Sequence, residues 1–330
     1  MKSLDHYWYS QNPIAWALLP LSWLFCAVAL IRRYGYSNSW LESHAVRAPV
    51  VVVGNLTVGG SGKTPLIIGL CQYLIQQGFK PGIVSRGYGA AISGEYAVSI
   101  DDRAAVCGDE PLLIKQRTGR PVIIGRDRVA AANKLLVEND CDVILSDDGM
   151  QHYRLRRDIE IAVIDVERPF GNGFCLPAGP LREPEARLGS VDMVVHHGIS
   201  QDEYHFTLEF EDAVNLATGE KRTIDSFTAT SVHAVAGIGH PQRFFNQLRR
   251  QGLDVDGRAF PDHHVFRAAD IEFRDGLPVL MTEKDAVKCA GLQPGSGPGG
   301  VLEHCWSVPV NAILSKRLGP DLMDLIKQCQ

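Results

Sequence analysis

The sequence predicts an α/β protein: a mainly parallel, doubly wound sheet, then a second α/β block, both behind an N-terminal membrane helix. Three observations predict it. Short β-branched runs alternate with helix-periodic segments from residue 49 to about 195, the pattern of a sheet buried on both faces. The period changes to two at Tyr204, Phe206, Leu208 and Phe210, and a further strand–helix alternation follows. Ahead of all this lies an uncharged run from Ile14 to Ile31, IAWALLPLSWLFCAVALI.

That run is close to the ~20 residues needed to cross a bilayer core. A buried core helix is rarely apolar on every face at this length. A cleaved signal needs a basic start and a small-residue cleavage site, whereas the start here carries Lys2 against Asp5. Arg32, Arg33 and Arg47 follow the run, which by the positive-inside rule places the C-terminal side in the cytoplasm. Pro20 is tolerable in a membrane helix. The expectation is an uncleaved anchor over residues 1–33.

The elements behind the anchor come in order. Pro49–Val53 reads as a strand buried on both faces, and Lys63–Gln77 as a helix with Leu66, Ile67, Leu70, Leu74 and Ile75 on one side. Gly82–Ser85, Pro121–Ile124, Val143–Leu145, Ile161–Ile164 and Met193–Val195 are further strands, with a helix over Asp127–Glu138. Tyr204–Phe210 alternates as a half-buried antiparallel strand does. The second block has strands near Val232–Ala236 and Val279–Met281 and helices near Pro241–Gln251 and Leu314–Gln328. Gln293–Gly300, rich in Gly and Pro, reads as a surface loop. The division is therefore 1–33 anchor, 34–200 first domain, 201–230 β-linker and 231–330 second α/β domain.

A chain of 330 residues has room for two such cores. Its formal charge of −5 gives no global reason to expect nucleic acid. The eight cysteines are scattered without a CxxC pair or zinc spacing, so no cysteine chemistry is assigned.

The chemistry begins at Gly54-Asn55-Leu56-Thr57-Val58-Gly59-Gly60-Ser61-Gly62-Lys63-Thr64, which joins the first strand to the first helix. Glycines 59, 60 and 62 let backbone N–H groups turn toward a polyphosphate at a helix N-terminus. Lys63 reaches the β/γ-phosphates and the Thr64 hydroxyl faces Mg²⁺ in such a loop, which makes residues 57–64 a nucleotide-phosphate site. Thr57 stands where the usual pattern starts with Gly. Val58 occupies the position of the signature lysine of partitioning-type ATPases, and no NKxD guanine-reading motif follows, so ATP is favoured over GTP. Val143–Leu145 leads into Ser146-Asp147-Asp148-Gly149; alone this reads as a turn, but behind such a loop the two carboxylates are where a Mg²⁺-holding acid belongs.

With these residues the chain resembles the tetraacyldisaccharide 4′-kinases of lipid A biosynthesis over essentially its whole length. Seven motifs in order carry the resemblance: GNLTVGGSGKTP (54–65), SRGYG (85–89), GDEP (108–111), DDGMQH (147–152), LPAGPLREP (176–184), FPDHH (260–264) and TEKDAVK (282–288). Met150 departs from the usual Phe, a change expected to alter packing only. The resemblance implies two α/β/α, P-loop and Rossmann-like domains with a β-strand linker and an N-terminal helix in the bacterial inner membrane, the catalytic body on its cytoplasmic face. It implies transfer of phosphate from Mg-ATP to the 4′-hydroxyl of a tetraacyl glucosamine disaccharide 1-phosphate. Asp109 resembles the acid that activates the acceptor hydroxyl, with His263 as its partner. Asp147, Asp148 and Glu183 resemble the carboxylates that organise Mg²⁺, and Gln151 and His152 are expected to line the cleft.

Physical chemistry stands beside the resemblance. A sugar hydroxyl is a poor nucleophile that needs alignment with phosphorus, a late proton acceptor and a group to orient that acceptor. The alternative readings are that Asp109 caps a helix and His263 is a satisfied loop histidine. Arg86 and Arg182, in glycine-containing motif loops, are substrate candidates, and TEKDAVK is the first candidate for the adenine pocket. The partners expected are the lipid substrate and a membrane, with no nucleic acid and no protein implied. The rival class is a membrane-anchored regulatory or chaperone-like NTPase, which would not require GDEP and FPDHH.

Overall fold

The structure is a computed structural model that describes residues 7–10, 12–290, 292 and 300–329. The loop expected at 293–300 lies almost wholly outside the described residues, as do 1–6 of the expected anchor.

The described elements include, near the N-terminus, helices α1 (Pro13–Ala17) and α2 (Leu19–Ser37). The first domain continues with β1 (Val50–Gly54), α3 (Lys63–Gln76), β2 (Pro81–Ser85), β3 (Tyr96–Ala97), α4 (Ala104–Cys107), α5 (Asp109–Thr118), β4 (Val122–Ile124), α6 (Arg128–Glu138), β5 (Val143–Asp147), β6 (Ile159–Asp165) and β7 (Met193–His197). Then come β8 (His205–Phe210), β9 (Ala213–Asn215), β10 (Lys221–Arg222), β11 (Ser231–Ala236), α7 (Pro241–Arg250), β12 (Asp254–Ala259) and α8 (Ala268–Ile271). The last elements are β13 (Val279–Thr282), α9 (Glu283–Cys289), β14 (Cys305–Val308), β15 (Val310–Leu314) and α10 (Leu318–Gln328).

Nine strands form the first sheet in the order β15-β8-β7-β6-β1-β5-β2-β4-β3. It is parallel except at its two edges, where β3 and β15 run antiparallel to their neighbours. The side-chain period of two sorts β1 between two cores. Val51 and Val53 join α3, α5 and α10 through Leu66, Ile67, Leu112, Ile114, Leu318 and Leu322, whereas Val50 and Val52 face α6 through Ala131, Ala132 and Leu135. Each strand expected between residues 49 and 195 is present. The expected apolar face of α3 is buried at Leu66, Ile67, Leu70 and Leu74, but Ile75 is 38% exposed. Met150 is fully buried in the α6-side core. A six-stranded second sheet, β10-β9-β14-β13-β11-β12, holds its own core around Phe245, Leu248 and Trp306.

Three expectations are corrected here. Among the described residues no helix is long and apolar enough to cross a membrane, so the single spanning helix over 1–33, and the inner-membrane placement that rested on it, do not stand. The physical reason lies in the prolines. Pro13 and Pro20 each sit in the first turn of a separate helix, since a proline cannot donate to the preceding turn, and the uncharged run divides at Leu18. One side of α2 is also committed to protein: Ser22 is buried and its hydroxyl donates to the Cys175 carbonyl (2.8 Å). Leu21, Trp23, Leu24, Val28 and Ile31 of α2, and Trp16 of α1, remain exposed. Second, Cys26 and Cys175 are joined as a disulfide, so two of the scattered cysteines do have a shared chemistry. Third, 231–330 is not one block: β15 pairs with β8 and α10 packs on the first core, so the chain returns to the first sheet.

Candidate active site

Strand β1 lies between β5 and β6, and its C-terminal end delivers the glycine loop into α3. Gly62 is left-handed (φ +88°) and is the residue ahead of the helix. The Val58 N–H donates to the Pro180 carbonyl (2.8 Å), and the Arg182 N–H donates to the Leu56 carbonyl (2.6 Å). The loop is thereby laced to the LPAGPLREP segment. Lys63 Nζ donates to Asn55 Oδ1 (3.0 Å) and lies 3.5 Å from Asp148. Thr64 is buried at the head of α3.

Strand β5, next to β1, ends in the two acids. Asp147 is 2% exposed; Ser85 Oγ donates to its Oδ2 (3.0 Å), and its Oδ1 has no hydrogen-bond partner among the described residues. Burial, with Glu110 and Asp148 nearby, pushes the Asp147 carboxyl up against the opposing pull of Lys63 and Arg128. Asp148 follows with φ +46°. Burial raises its carboxyl too, but Lys63 and Arg182 outweigh that and hold it well below the ordinary range. Arg182 Nη1 donates to both Asp148 oxygens (3.1 and 2.9 Å) and to Gln151 Oε1 (3.3 Å). Gln151 Nε2 donates to Glu183 Oε1 (2.8 Å), and the Tyr153 hydroxyl donates to Oε2 (2.6 Å). Both Glu183 oxygens are thus engaged by protein. Burial, with Arg128 and Arg86, lowers the His152 imidazole to about 4, so it is neutral near pH 7. Arg86 is exposed beside it.

The third group crosses between the sheets. Gly108, at φ +94°, turns the chain into α5, and an added Cβ there would stand 2.8 Å from the Tyr88 carbonyl. Asp109, the first residue of α5, is 6% exposed, and His263 Nδ1 donates to its Oδ2 (3.2 Å). His263 itself is left-handed (φ +58°), a backbone state that costs a non-glycine residue energy. Burial pushes the Asp109 carboxyl up, yet the His263 bond, with Lys284 and Lys288, outweighs it and keeps the group below its ordinary value. The same bond raises the His263 imidazole.

Lys284 and Lys288 were missed as site residues, because the motif that carries them was assigned to adenine. In the structure Lys284 Nζ bridges Glu110 (2.8 Å) and Asp262 (3.2 Å), and Lys288 pairs with Asp285 (2.7 Å) at 4.0 Å from Asp109. Asn55, Ser85 and Arg128 were also passed over. Asn55 and Ser85 sat inside quoted motifs; Arg128, 3% exposed with its guanidinium donating to the Asp147 carbonyl (2.9 Å), carried no sequence signal beyond an arginine cluster.

The glycine loop and the two acids, Asp147 buried and Asp148 partly exposed, thus stand at the ends of the adjacent strands β1 and β5, and the Asp109–His263 pair links the first body to the second. Residues 14–327 match the family model described as tetraacyldisaccharide-1-P 4′-kinase, LpxK. A tetraacyldisaccharide 4′-kinase of Nitrosococcus oceani is 47% identical over 98% of this chain and 94% of its own length. One of Alkalilimnicola ehrlichii is 48% identical over 94% of this chain and 93% of its own. The crystal structure of "apo" form LpxK from Aquifex aeolicus in complex with ATP superposes with a TM-score of 0.77, at 28% identity, covering 96% of this chain and 99% of that one. The chain belongs to the tetraacyldisaccharide 4′-kinase family, and it uses ATP to phosphorylate tetraacyldisaccharide 1-phosphate at the 4′ position.

Proposed function

We propose that Asp109, oriented by His263, takes the proton of the acceptor 4′-hydroxyl as that oxygen bonds to the γ-phosphorus of ATP and the bond from that phosphorus to the bridging oxygen breaks, releasing ADP. The single observation that carries this is the pair itself: one buried carboxylate and one imidazole, brought from two sheets to within 3.2 Å. Held below its ordinary value, Asp109 is ionised at neutral pH and ready to accept a late proton. Residues 57–64 grip the phosphates, and Lys63, released from Asn55 and Asp148, follows the charge of the transferring group.

The residues also fit Mg²⁺. A buried Asp147 oxygen without a partner, a carboxyl pushed up by burial and neighbouring acids, and a hydroxyl at Thr64 form the oxygen donor set of a hard cation. Asp147, Asp148 and Thr64 would hold the ion, directly or through water. Bound there, Mg²⁺ supplies neutralisation of phosphate charge. Glu183, whose oxygens serve Gln151 and Tyr153, acts one layer back by steadying Arg182 and Gln151. Arg86, Arg182 and His152 line the acceptor side.

The test is acceptor phosphorylation with purified Asp109→Asn and His263→Ala beside wild type, with ATP affinity measured separately. Each variant should lose most of kcat while binding Mg-ATP within a few-fold of wild type. A large loss of ATP affinity in Asp109→Asn would move that residue to the nucleotide and end the proposal.

A further inference from the structure

Arg182 is anchored by one nitrogen. All its hydrogen bonds run from Nη1, to Asp148 and to Gln151, whereas Nε and Nη2 have no hydrogen-bond partner among the described residues and the side chain is 26% exposed. Lys63 of the glycine loop stands against the same carboxylate, 3.5 Å from Asp148 Oδ1. A nitrogen held by Asp148 alone would leave the guanidinium plane free to swing. Nη1 carries two hydrogens, and Gln151 Oε1 gives the second one an acceptor at 3.3 Å, which fixes the plane.

The Gln151 amide is fixed from behind. A guanidinium only donates and a carboxylate only accepts, so one amide orientation serves both neighbours: Nε2 on Glu183 Oε1 and Oε1 toward Arg182. Glu183 therefore sets the amide. Glu183, 4% exposed, is itself held through its other oxygen by the Tyr153 hydroxyl at 2.6 Å. Burial and Glu183 push that phenol up to about 12, which keeps it a donor across the working pH range. The last two turns of α2 meet this group from two sides. Tyr36 stacks on Tyr153 with ring centroids 5.7 Å apart. Arg33 Nη2 donates to Ser190 Oγ (2.6 Å), which also accepts from Arg187 Nη1 (2.7 Å), and Arg187 Nε stands 3.5 Å from Glu183 Oε2.

We propose that Tyr153 is a positioning residue for the reaction: its hydroxyl pins Glu183, Glu183 sets the Gln151 amide, and the amide with Asp148 fixes the Arg182 guanidinium so that Nε and Nη2 meet a phosphate oxygen. Tyr36 seats the Tyr153 ring, so the end of α2 bears on the same guanidinium. The phosphate is the γ-phosphoryl group of ATP or the 1-phosphate of the acceptor, and the two are told apart by which kinetic constant moves. This rests on the reading of Lys63 and Asp148 as the phosphate end of the ATP site.

The experiment uses the full chain, with steady-state kinetics in ATP and in acceptor and Tm for each variant. Tyr153→Phe keeps the stack on Tyr36 and removes only the hydroxyl. It should lower kcat/KM for acceptor about ten-fold, the scale of one hydrogen bond to a charged group, with KM for ATP within about two-fold. A fall in kcat at saturating acceptor assigns the open Arg182 nitrogens to the γ-phosphoryl group; a rise in KM for acceptor assigns them to the 1-phosphate. In an Arg182→Ala background Tyr153→Phe should cost no further activity, whatever it does to Tm, because the hydroxyl acts through that guanidinium. Tyr36→Leu, which unseats the ring and leaves the hydroxyl in place, should give a smaller loss of the same kind that also vanishes beside Arg182→Ala. Unchanged kinetics in Tyr153→Phe, or losses that persist without Arg182, would overturn the proposal. If Tyr153→Phe does not fold, the Tyr36→Leu cycle decides. Lys63→Ala is the parallel arm: wild-type turnover there would remove the phosphate-site reading, whereas lost turnover there beside unchanged Tyr153→Phe would remove only this inference.

Discussion

His263→Ala should move the acid limb of kcat/KM upward by about one pH unit. In the wild type the imidazole donates to a carboxylate that is 6% exposed, and its own side chain is 31% exposed. A hydrogen bond to a charged group contributes roughly 1.5–3 kcal/mol, and solvent on the histidine side reduces that toward the lower end. Since about 1.4 kcal/mol corresponds to one pKa unit, removing the bond lets the Asp109 carboxyl rise by about one unit. Lys284 and Lys288 remain in place and limit the rise. The sign follows from which form each partner favours. Asp109 is depressed, so its contribution is present above its unfolded value and disappears as pH falls through the folded one. His263 is raised, so its contribution is full below its unfolded value and disappears as pH rises through the folded one. Rates on acceptor in mixed micelles, taken from pH 4 to 9 with circular dichroism at each point, read both limbs. Wild type should stay flat to the lowest pH at which it is folded, and the variant should show an acid limb near the ordinary carboxylate range. The variant should also lack the alkaline limb that marks loss of the His263 proton. Superimposable profiles would refute the pairing.

Three further outcomes can be checked. Lys63→Ala should lower kcat by several orders of magnitude, because a charge aimed at the transferring group is lost, and near wild-type turnover would remove Lys63 from the site. Gly62→Ala should lower Tm and weaken ATP binding at least ten-fold, since the residue sits at φ +88° and its Cβ would meet His197 at 2.4 Å; calorimetry and nucleotide titration measure the two effects. Cys26→Ser should lower Tm without reductant and leave it unchanged with dithiothreitol; the bridge closes a span of 149 residues, for which chain entropy sets an upper bound of about 5 kcal/mol.

The strands of the first sheet were legible because a parallel sheet covered on both faces leaves unbroken β-branched runs, as in Val50–Val53. The glycine loop and the two acids were legible because strand, loop and helix follow one another in sequence. The partnership of Asp109 with His263 was not, since 154 residues separate them and only the family resemblance joined them. The N-terminal run misled for a definite reason. Hydropathy counts side chains, whereas the division of the run depends on Pro20, and the commitment of one helix face depends on Ser22 and Cys26 meeting Cys175 across 149 residues or more. The return of Val310–Leu314 to the first sheet was hidden likewise: its register against Phe206–Phe210 is a pairing across about a hundred residues.

That return has a mechanical consequence. The chain passes from the first sheet to the second at 210–213 and comes back at 308–310, and the strands flanking both passages are paired antiparallel, β8 with β15 on one side and β9 with β14 on the other. Arg117 fastens the first body to this ribbon through Glu211 and Asn311 and to α9 through Glu283. A joint made of one strand is a swivel; a joint made of two coupled strands is a door hinge, with bending allowed about one axis and twisting resisted by the ladder. A hinge of that kind confines any movement between the two bodies to one axis, which keeps His263 on one body facing Asp109 on the other.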